Sequence, residues 1–584
     1  MSVQTHSMPP SGPMSTRFVD RARFRVDQWR KAPNPLWIRE LRQSARLGRT
    51  PVFLTVLTIL MTLLIAGVGG IVSVYESPAT TGVVIFHVFF SVAYFLVTVI
   101  GPAVAANSIA SEREGRTWEA VLLTGLPPGV IARGKFLSAF TAISMYLVML
   151  APVAALPFLF GGVTATEVIV AFLGLFLIAL LSIAFGLAMS SLMSSMGAAI
   201  VITLVLAICV SVGTFLTFGV LMSYAAHHAW PGVADGPPIW LPTAYERAPF
   251  GLPYVAFLIV LPVLSIVLPA WFLYEVTIAN LTSVTDDRST GLKRWFLVAA
   301  PALTIVAVVP VLAVSAYDRA GAAVAGLSGL FFFLVFCVFL FMGDPIGPSR
   351  RVQIHWDRIN ASRVRRFLGP GVVRSAWILL IVGAATFAIA ALVGIERAAA
   401  ASGTRAHDPA AVAAFAAYAL AFYVFVVGLA AFLRTRTQTS LSGRVVLFAI
   451  LFALAVGPWI GAAIAGLIND NMGRDALVFA APSPLYVFVM LDAFDRVDGA
   501  LPIIVGATSA VVWSGLGALL LISARRRCAD IIQKHEARLT ETEKILAAED
   551  EAAAAARAPR AEPPAAPPSD EPAPATVPSP GLAQ

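Results

Sequence analysis

The sequence predicts an all-α polytopic membrane protein. About twelve transmembrane helices are expected, as two six-helix repeats, with an amphipathic helix before the first span and a short charged segment after the second. Three observations lead there. Of 584 residues, 58% are hydrophobic and 13% are charged, where soluble proteins carry about 25% charged residues. Twelve apolar segments can be marked, each about 20 residues long and so able to cross a ~30 Å hydrocarbon core as a helix. Landmarks of the first half also return in the second at a spacing of 242 residues.

Taken in order, residues 1–33 are polar and basic and read as a disordered N-terminus, with no apolar stretch that would make a cleavable signal peptide. Asn34-Pro35 then opens a helix over 34–50, with Asn as cap and Pro at the first helical position. Trp37, Leu41 and Ala45 share one face, and Arg39, Arg42, Arg46 and Arg49 share the other. Such a helix lies in the lipid interface; a solvated basic helix is the alternative, and Trp37 with the immediate run into a span favours the interface. The spans centre near residues 64, 95, 148, 178, 209, 264, 305, 332, 385, 421, 455 and 512. A proline-rich outer segment over 225–250 carries His227-His228. Adjacent histidines without cysteines or nearby carboxylates rarely bind a metal, so no metal site is expected. Cys209 and Cys337 lie inside spans and read as buried structural thiols. After Cys528, residues 529–558 suit a helix, and a Pro/Ala-rich tail to Gln584 reads as disordered.

The repeat rests on agreement. Pro128-Gly129-Val130 recurs as Pro370-Gly371-Val372, and Gly186-Leu187-Ala188 as Gly428-Leu429-Ala430, both offset by 242. The start of the first span maps on Trp295, and Tyr245 finds Tyr486 at an offset of 241. Residues 34–285 and 286–528 therefore read as two six-span halves related by an axis along the membrane normal.

Charge orients the chain. With the N-terminus inside, 35 of the 41 Lys and Arg residues fall on inner segments; the exceptions are Arg247, Arg319, Arg397, Arg405, Arg474 and Arg496. By the positive-inside rule both termini are cytoplasmic. The net charge of +8 then belongs to a membrane-facing inner surface, and no nucleic-acid site is seen in it. No Lys or Arg falls within a span, and Asp and Glu stay at span edges or in loops.

The most informative stretch is Ser111-Glu112-Arg113-Glu114-Gly115-Arg116-Thr117-Trp118-Glu119, continuing through Leu122, Leu123 and Leu126 to Pro127-Pro128. Ser111 with Glu114 spells a Ser-x-x-Glu capping box. Gly115 interrupts the helix, and a second helix from about Thr117 is stopped by the prolines. On spacing alone this is also an ordinary, well-capped loop. With Gly134-Lys135-Phe136 running into the next span, however, the stretch resembles the permease subunit of type-2 ABC transporters, over roughly residues 34–285. The resemblance implies that 111–128 is a cytoplasmic coupling helix docking on a separate ATPase subunit. The coupling residues would then be Glu112, Arg113, Glu114, Gly115, Thr117, Glu119, Leu122, Leu123 and Leu126, with Glu112, Glu114 and Glu119 pairing with basic groups at the ATPase cleft and the three leucines filling it. It also implies that the interfacial helix with Trp37, Arg39, Leu41, Arg42 and Arg46 touches the ATPase. An ATPase dimer, the bilayer and, as an open alternative, a second permease chain are the expected partners, in a bacterial-type inner membrane, with export of an amphipathic, lipid-like or drug-like cargo.

The second half departs from this pattern. Positions 112, 114 and 119 map on Ile354, Trp356 and Ala361, and loop 343–374 carries Arg350, Arg351, Arg358, Arg363, Arg365 and Arg366. Such a surface can meet an ATPase or anionic lipid headgroups, and lipid is slightly favoured. Gly129-x-x-x-x-Gly134-Lys135 approaches a phosphate loop, but Phe136 stands where a magnesium-holding hydroxyl is needed. The chain is thus expected not to be an enzyme and to bind no cofactor itself, ATP and magnesium belonging to the partner ATPase. A twelve-span secondary transporter is the alternative, and it needs ionisable groups at mid-membrane, of which the reading finds none. A membrane scaffold is the other; it leaves the capped acidic stretch unexplained.

Overall fold

The computed structural model describes residues 34–46, 49–216, 230, 241–314, 316–400, 408–468, 473–494, 496 and 499–557. Among them there are helices and no strands. His227 and His228 and the segments 1–33 and 558–584 lie outside the described residues. The chain forms two compact units, Met1–Arg526 and Arg527–Gln584. The described part of the second is helical and carries an exposed Lys534–Asp530 ion pair one helical turn apart.

The first unit begins with α1 (Pro35–Arg46), α2 (Arg49–Tyr75), α3 (Pro78–Glu114), α4 (Trp118–Leu123), α5 (Pro128–Ala154) and α6 (Leu156–Phe160). It continues with α7 (Ala165–Leu192), α8 (Met196–Phe215), α9 (Leu241–Arg247) and α10 (Leu252–Leu281), the last containing a π-helical turn. Then come α11 (Thr290–Ala313), α12 (Arg319–Phe341), α13 (Arg350–Arg358), α14 (Arg363–Leu368) and α15 (Val372–Ala399). Finally α16 (Asp408–Arg434), α17 (Ser440–Ile468), α18 (Tyr486–Ala493) and α19 (Ala500–Arg557) close the series. Twelve helices among the described residues are long and apolar enough to span a bilayer, and each expected centre falls inside one of them. Their outward faces confirm the class: Val52, Val56, Leu60 and Leu63 of α2 all stand more than half exposed. Side chains of that kind are stable against acyl chains and costly in water.

Two hydrophobic clusters form. One gathers α1 to α7 with Leu281 of α10; the other gathers α11, α12 and α14 to α19 with Leu268 of α10. In the first, α2 packs on α3 and α5, α3 on α5 and α7, α5 on α7, and α7 on α8. With α11, α12, α15, α16 and α17 standing for α2, α3, α5, α7 and α8, each of those pairings recurs. The repeated triplets fall in matching places: Pro128 and Val372 open α5 and α15, and Gly186 and Gly428 sit inside α7 and α16. Both glycines mark helix crossings where backbones nearly touch. A Cβ on Gly186 would stand 2.2 Å from the Pro102 carbonyl oxygen of α3, and one on Gly428 would stand 2.1 Å from the Gly517 oxygen of α19. Small residues permit such approach without a water-driven hydrophobic term.

The structure revises three expectations here. Ser111 and Glu114 form no capping box, because α3 continues through them and ends at Glu114; the Ser111 hydroxyl donates back to Asn107 O at 2.6 Å. A capping box forms instead at Thr164 and Glu167, the start of α7. Arg49 begins α2 and is not on the face of α1. Cys209 is exposed on the bundle surface, whereas Cys337 is buried as expected.

Candidate functional site

Consecutive spans alternate in direction, so the segment joining α3 to α5 shares one end of the bundle with α1 and with the loops 282–289, 342–371 and 435–439. α3 has 37 residues; at ~1.5 Å rise that is about 55 Å, well beyond a ~30 Å core. Its last turns carry Glu112 and Arg113 out to the segment. Gly115 caps α3 with its amide on Ser111 O at 2.9 Å, and Arg116 takes the left-handed conformation (φ 55°) that turns the chain. The Thr117 amide donates to Glu112 O at 2.9 Å, fixing the start of α4. α4 ends at Leu123, earlier than the prolines demand, because Thr124 bonds Val121 O and Gly125 turns at φ 69°.

Only part of this segment faces outward. Val121 is buried, Trp118 and Leu126 are half-buried, and Glu119 and Leu123 project, Leu123 at 87% exposure. The Leu122 side chain lies outside the described residues. Arg113 turns inward: it donates to the carbonyls of Ser191 (2.8 Å) and Met193 (3.3 Å) at the end of α7, with its guanidinium 5.6 Å from the Trp118 ring centre. Glu114 accepts the amide of Met196 at 2.6 Å, placing a negative charge at the first turn of α8.

Glu112 also faces inward, toward Lys135 of α5. Lys135 is 1% exposed, 2.9 Å from Glu40 of α1 and 3.1 Å from Glu112 of α3. Its third donor reaches Ser108 O at 2.9 Å. One ammonium therefore ties three elements together. The helix α1 is seated for this by its sequence. Asn34 accepts the Leu36 amide at 3.0 Å and donates to Val130 O at 2.8 Å, Leu36 is buried, and Trp37 donates to Thr141 at 3.3 Å. Gly134 makes room: a Cβ there would meet Leu36 Cβ at 2.9 Å. Gly134-Lys135 thus belongs to a helix–helix contact. Arg39 and Arg42 are exposed, Leu41 is half-buried, and the Arg46 side chain is outside the described residues.

A second clamp occupies the corresponding place in the other half, with the lysine on a different element. Lys293, fully buried at the start of α11, lies 2.8 Å from Asp344, just past the end of α12, and donates to Gly369 O at 2.6 Å. Ser375 at the start of α15 donates to the same Asp344 carboxylate, and Arg434 donates to Asp344 O at 3.1 Å. In each half the entrance to the first span, the end of the second and the start of the third meet at one buried lysine. The lysine sits on the third span in one half and on the first in the other.

Two further features lie within the spans. A cavity of about 600 Å³ opens between α3, α7, α8 and α10. Its walls are apolar apart from hydroxyls such as Tyr94, Thr98, Ser211 and Thr214, which bond each other and Ser211 O. His87 of α3 is an ionisable group inside a span, which corrects the expectation that there are none; its buried Nδ1 has no partner among the described residues. Below these, Tyr245 of α9 donates its hydroxyl to Leu258 O, and burial beside Tyr254 pushes the phenol up to about 12, so it remains a donor.

Neither protein-family profiles nor curated proteins match this chain. What the site can do is therefore argued from its geometry. Sequence reading found the projecting Glu119 and Leu123 and the start of α4, and placed its end too late. It missed Glu40, Lys135, Lys293 and Asp344 as partners. The offset of 242 pairs Glu112 with Ile354, whereas position in the fold pairs it with Asp344, because α12 has 23 residues against 37 in α3. The available signal was a lysine placed one or two turns into a helix that is otherwise apolar but for one neighbouring arginine, at Lys135 beside Arg133 and at Lys293 beside Arg294.

Proposed function

We propose that the chain is the membrane-spanning permease subunit of an ATP-driven transporter of the ABC-2 type, exporting an amphipathic, lipid-like or drug-like cargo. A separate ATPase dimer, holding ATP and magnesium, docks on α4 from the cytoplasmic side of a bacterial-type inner membrane. The observation that carries this reading is the form of the 111–128 segment. It is a short helix with an exposed acid and an exposed leucine, hung between a helix longer than the membrane is thick and a second helix, with both bases locked by Lys135. Such a peg takes a push at α4 and passes it to α1, α3 and α5 as a block. The docking set narrows accordingly. Glu112, Arg113 and Glu114 are engaged within the chain, which leaves Glu119, Arg116 and Leu123 to meet the partner. The apolar cavity with its few hydroxyls supports an amphipathic cargo.

The test is co-purification of the chain with an ABC ATPase, followed by transport in vesicles. Glu119→Lys is expected to leave insertion and basal ATP hydrolysis intact while transport falls about tenfold or more, since opposed like charges at an interface cost several kcal/mol. Unchanged transport in that variant would sink the coupling role. A secondary transporter is the second reading, favoured by His87 inside α3; it requires transport driven by a proton gradient without nucleotide and abolished by His87→Ala.

A further inference from the structure

We propose that α13 and α14 form a binding platform for the headgroups of anionic phospholipids in the leaflet next to them. The platform is built in. Ser349 and Ser362 cap the two helices through the amides of Val352 (3.3 Å) and Arg365 (3.4 Å). Val352 and Trp356 turn inward and are buried. Arg374 lies 5.4 Å over the Trp356 ring and donates to Arg366 O at 2.9 Å, and Thr290 donates to Leu368 O at 3.2 Å. The inner face is thereby fixed, and with it the outer face.

That outer face has a mixed character. Arg358, Arg363 and Arg365 are exposed and make no ion pair among the described residues, while Arg351 and Arg366 hold Asp286 and Asp357 in exposed surface pairs. Between the guanidiniums stand Ile354, Val364 and Phe367, at 46%, 70% and 41% exposure. A face turned to water has no use for those three. A face at the headgroup level uses both kinds, with apolar side chains among the acyl ends and planar guanidiniums on phosphate oxygens. The attraction acts only within a Debye length of the surface. The tether satisfies that distance: α13 starts nine residues after α12 ends, and α15 starts four residues after α14 ends.

The charge also separates this surface from α4. The 111–128 segment presents Glu119 outward, and a cleft complementary to that acid repels the arginines of 350–366. If the two subunits of the ATPase dimer named in the proposed function offer like clefts, that dimer fits the first loop and not the second. The lipid contact itself stands without that reading.

The experiment places the full chain in nanodiscs of phosphatidylcholine alone and of phosphatidylcholine with phosphatidylglycerol, and follows backbone hydrogen exchange over residues 350–368. With roughly a fivefold gain per arginine at an anionic surface, exchange should slow by about tenfold or more in the anionic discs, and high salt should reverse this. The triple variant Arg358→Gln, Arg363→Gln, Arg365→Gln should lose the difference, and residues 118–123 should show none. Equal exchange of the wild-type chain in the two lipids overturns the proposal even if the variant inserts poorly. So does protection that arises only when the ATPase subunit is added, which would assign the surface to a protein.

Discussion

Lys135→Met is the most searching perturbation of the clamp. It keeps the volume of the side chain and removes the charge, leaving Glu40 and Glu112 facing each other across the space of one ammonium. The second Glu112 oxygen already has no partner among the described residues, so this carboxylate loses its one strong contact. Removing one member of a buried ion pair costs about 3–5 kcal/mol. Here Lys135 is 1% exposed but its partners are 20% and 14% exposed, so water can reach them. The lower end, about 3 kcal/mol, therefore applies, which is roughly 10² in an equilibrium constant. The loss should fall where the clamp holds, so hydrogen exchange over α1 should quicken by roughly that factor while α16, in the other hydrophobic cluster, stays protected. Adding Glu40→Gln and Glu112→Gln to Lys135→Met should restore most of the protection, because no uncompensated charge is left. Wild-type exchange in α1 of the single variant would refute the reasoning. A triple variant no better than the single one would show that the amine acts by packing and not by charge.

Two further outcomes follow from the same geometry. Lys293→Met strands Asp344 at 7% exposure, so the upper end of the range, about 5 kcal/mol, applies; buried Cys337 of α12 should become reactive to a thiol reagent, exposed Cys209 serving as the internal standard, and Asp344→Asn should reverse the effect. Gly186→Ala drives a methyl into the Pro102 carbonyl and should lower the melting temperature in detergent sharply, whereas Gly174→Ala, in the same helix with nothing within 4 Å, should leave it unchanged or slightly raised.

Spans were legible because the bilayer imposes one rule on every crossing, and runs such as Val52–Leu64 obey it without reference to any other part of the chain. The turn at Gly115 and the cap at Asn34 were legible for a related reason: their partners lie a few residues away. The Ser111–Glu114 box failed because the same four letters serve a helix interior once the preceding span continues into them, and the letters do not say where a helix has begun. Lys135 and Lys293 were illegible for a different reason. The acids lie 95 and 23 residues from Lys135 and 51 from Lys293, and a fixed offset cannot align two halves whose second spans differ in length.

The confinement of each clamp to its own half bears on how such a molecule can move. Each lysine closes on acids of its own half, Lys135 on Glu40 and Glu112, Lys293 on Asp344. Neither clamp reaches across the seam where α10 packs on α11. At that seam Trp295 donates to Leu268 O at 2.9 Å and its ring packs on Phe272 at a tilt of 43°, while Leu268 joins the core of the second half. Charges held in fixed geometry resist sliding, because a displaced buried ion loses its partner outright; apolar side chains can exchange neighbours with little net change. A body with ionic locks inside each half and a mainly apolar seam between them is stiff within blocks and compliant between them. A push delivered at α4 would then tilt the first half as a unit, which is the motion a rocking transporter needs.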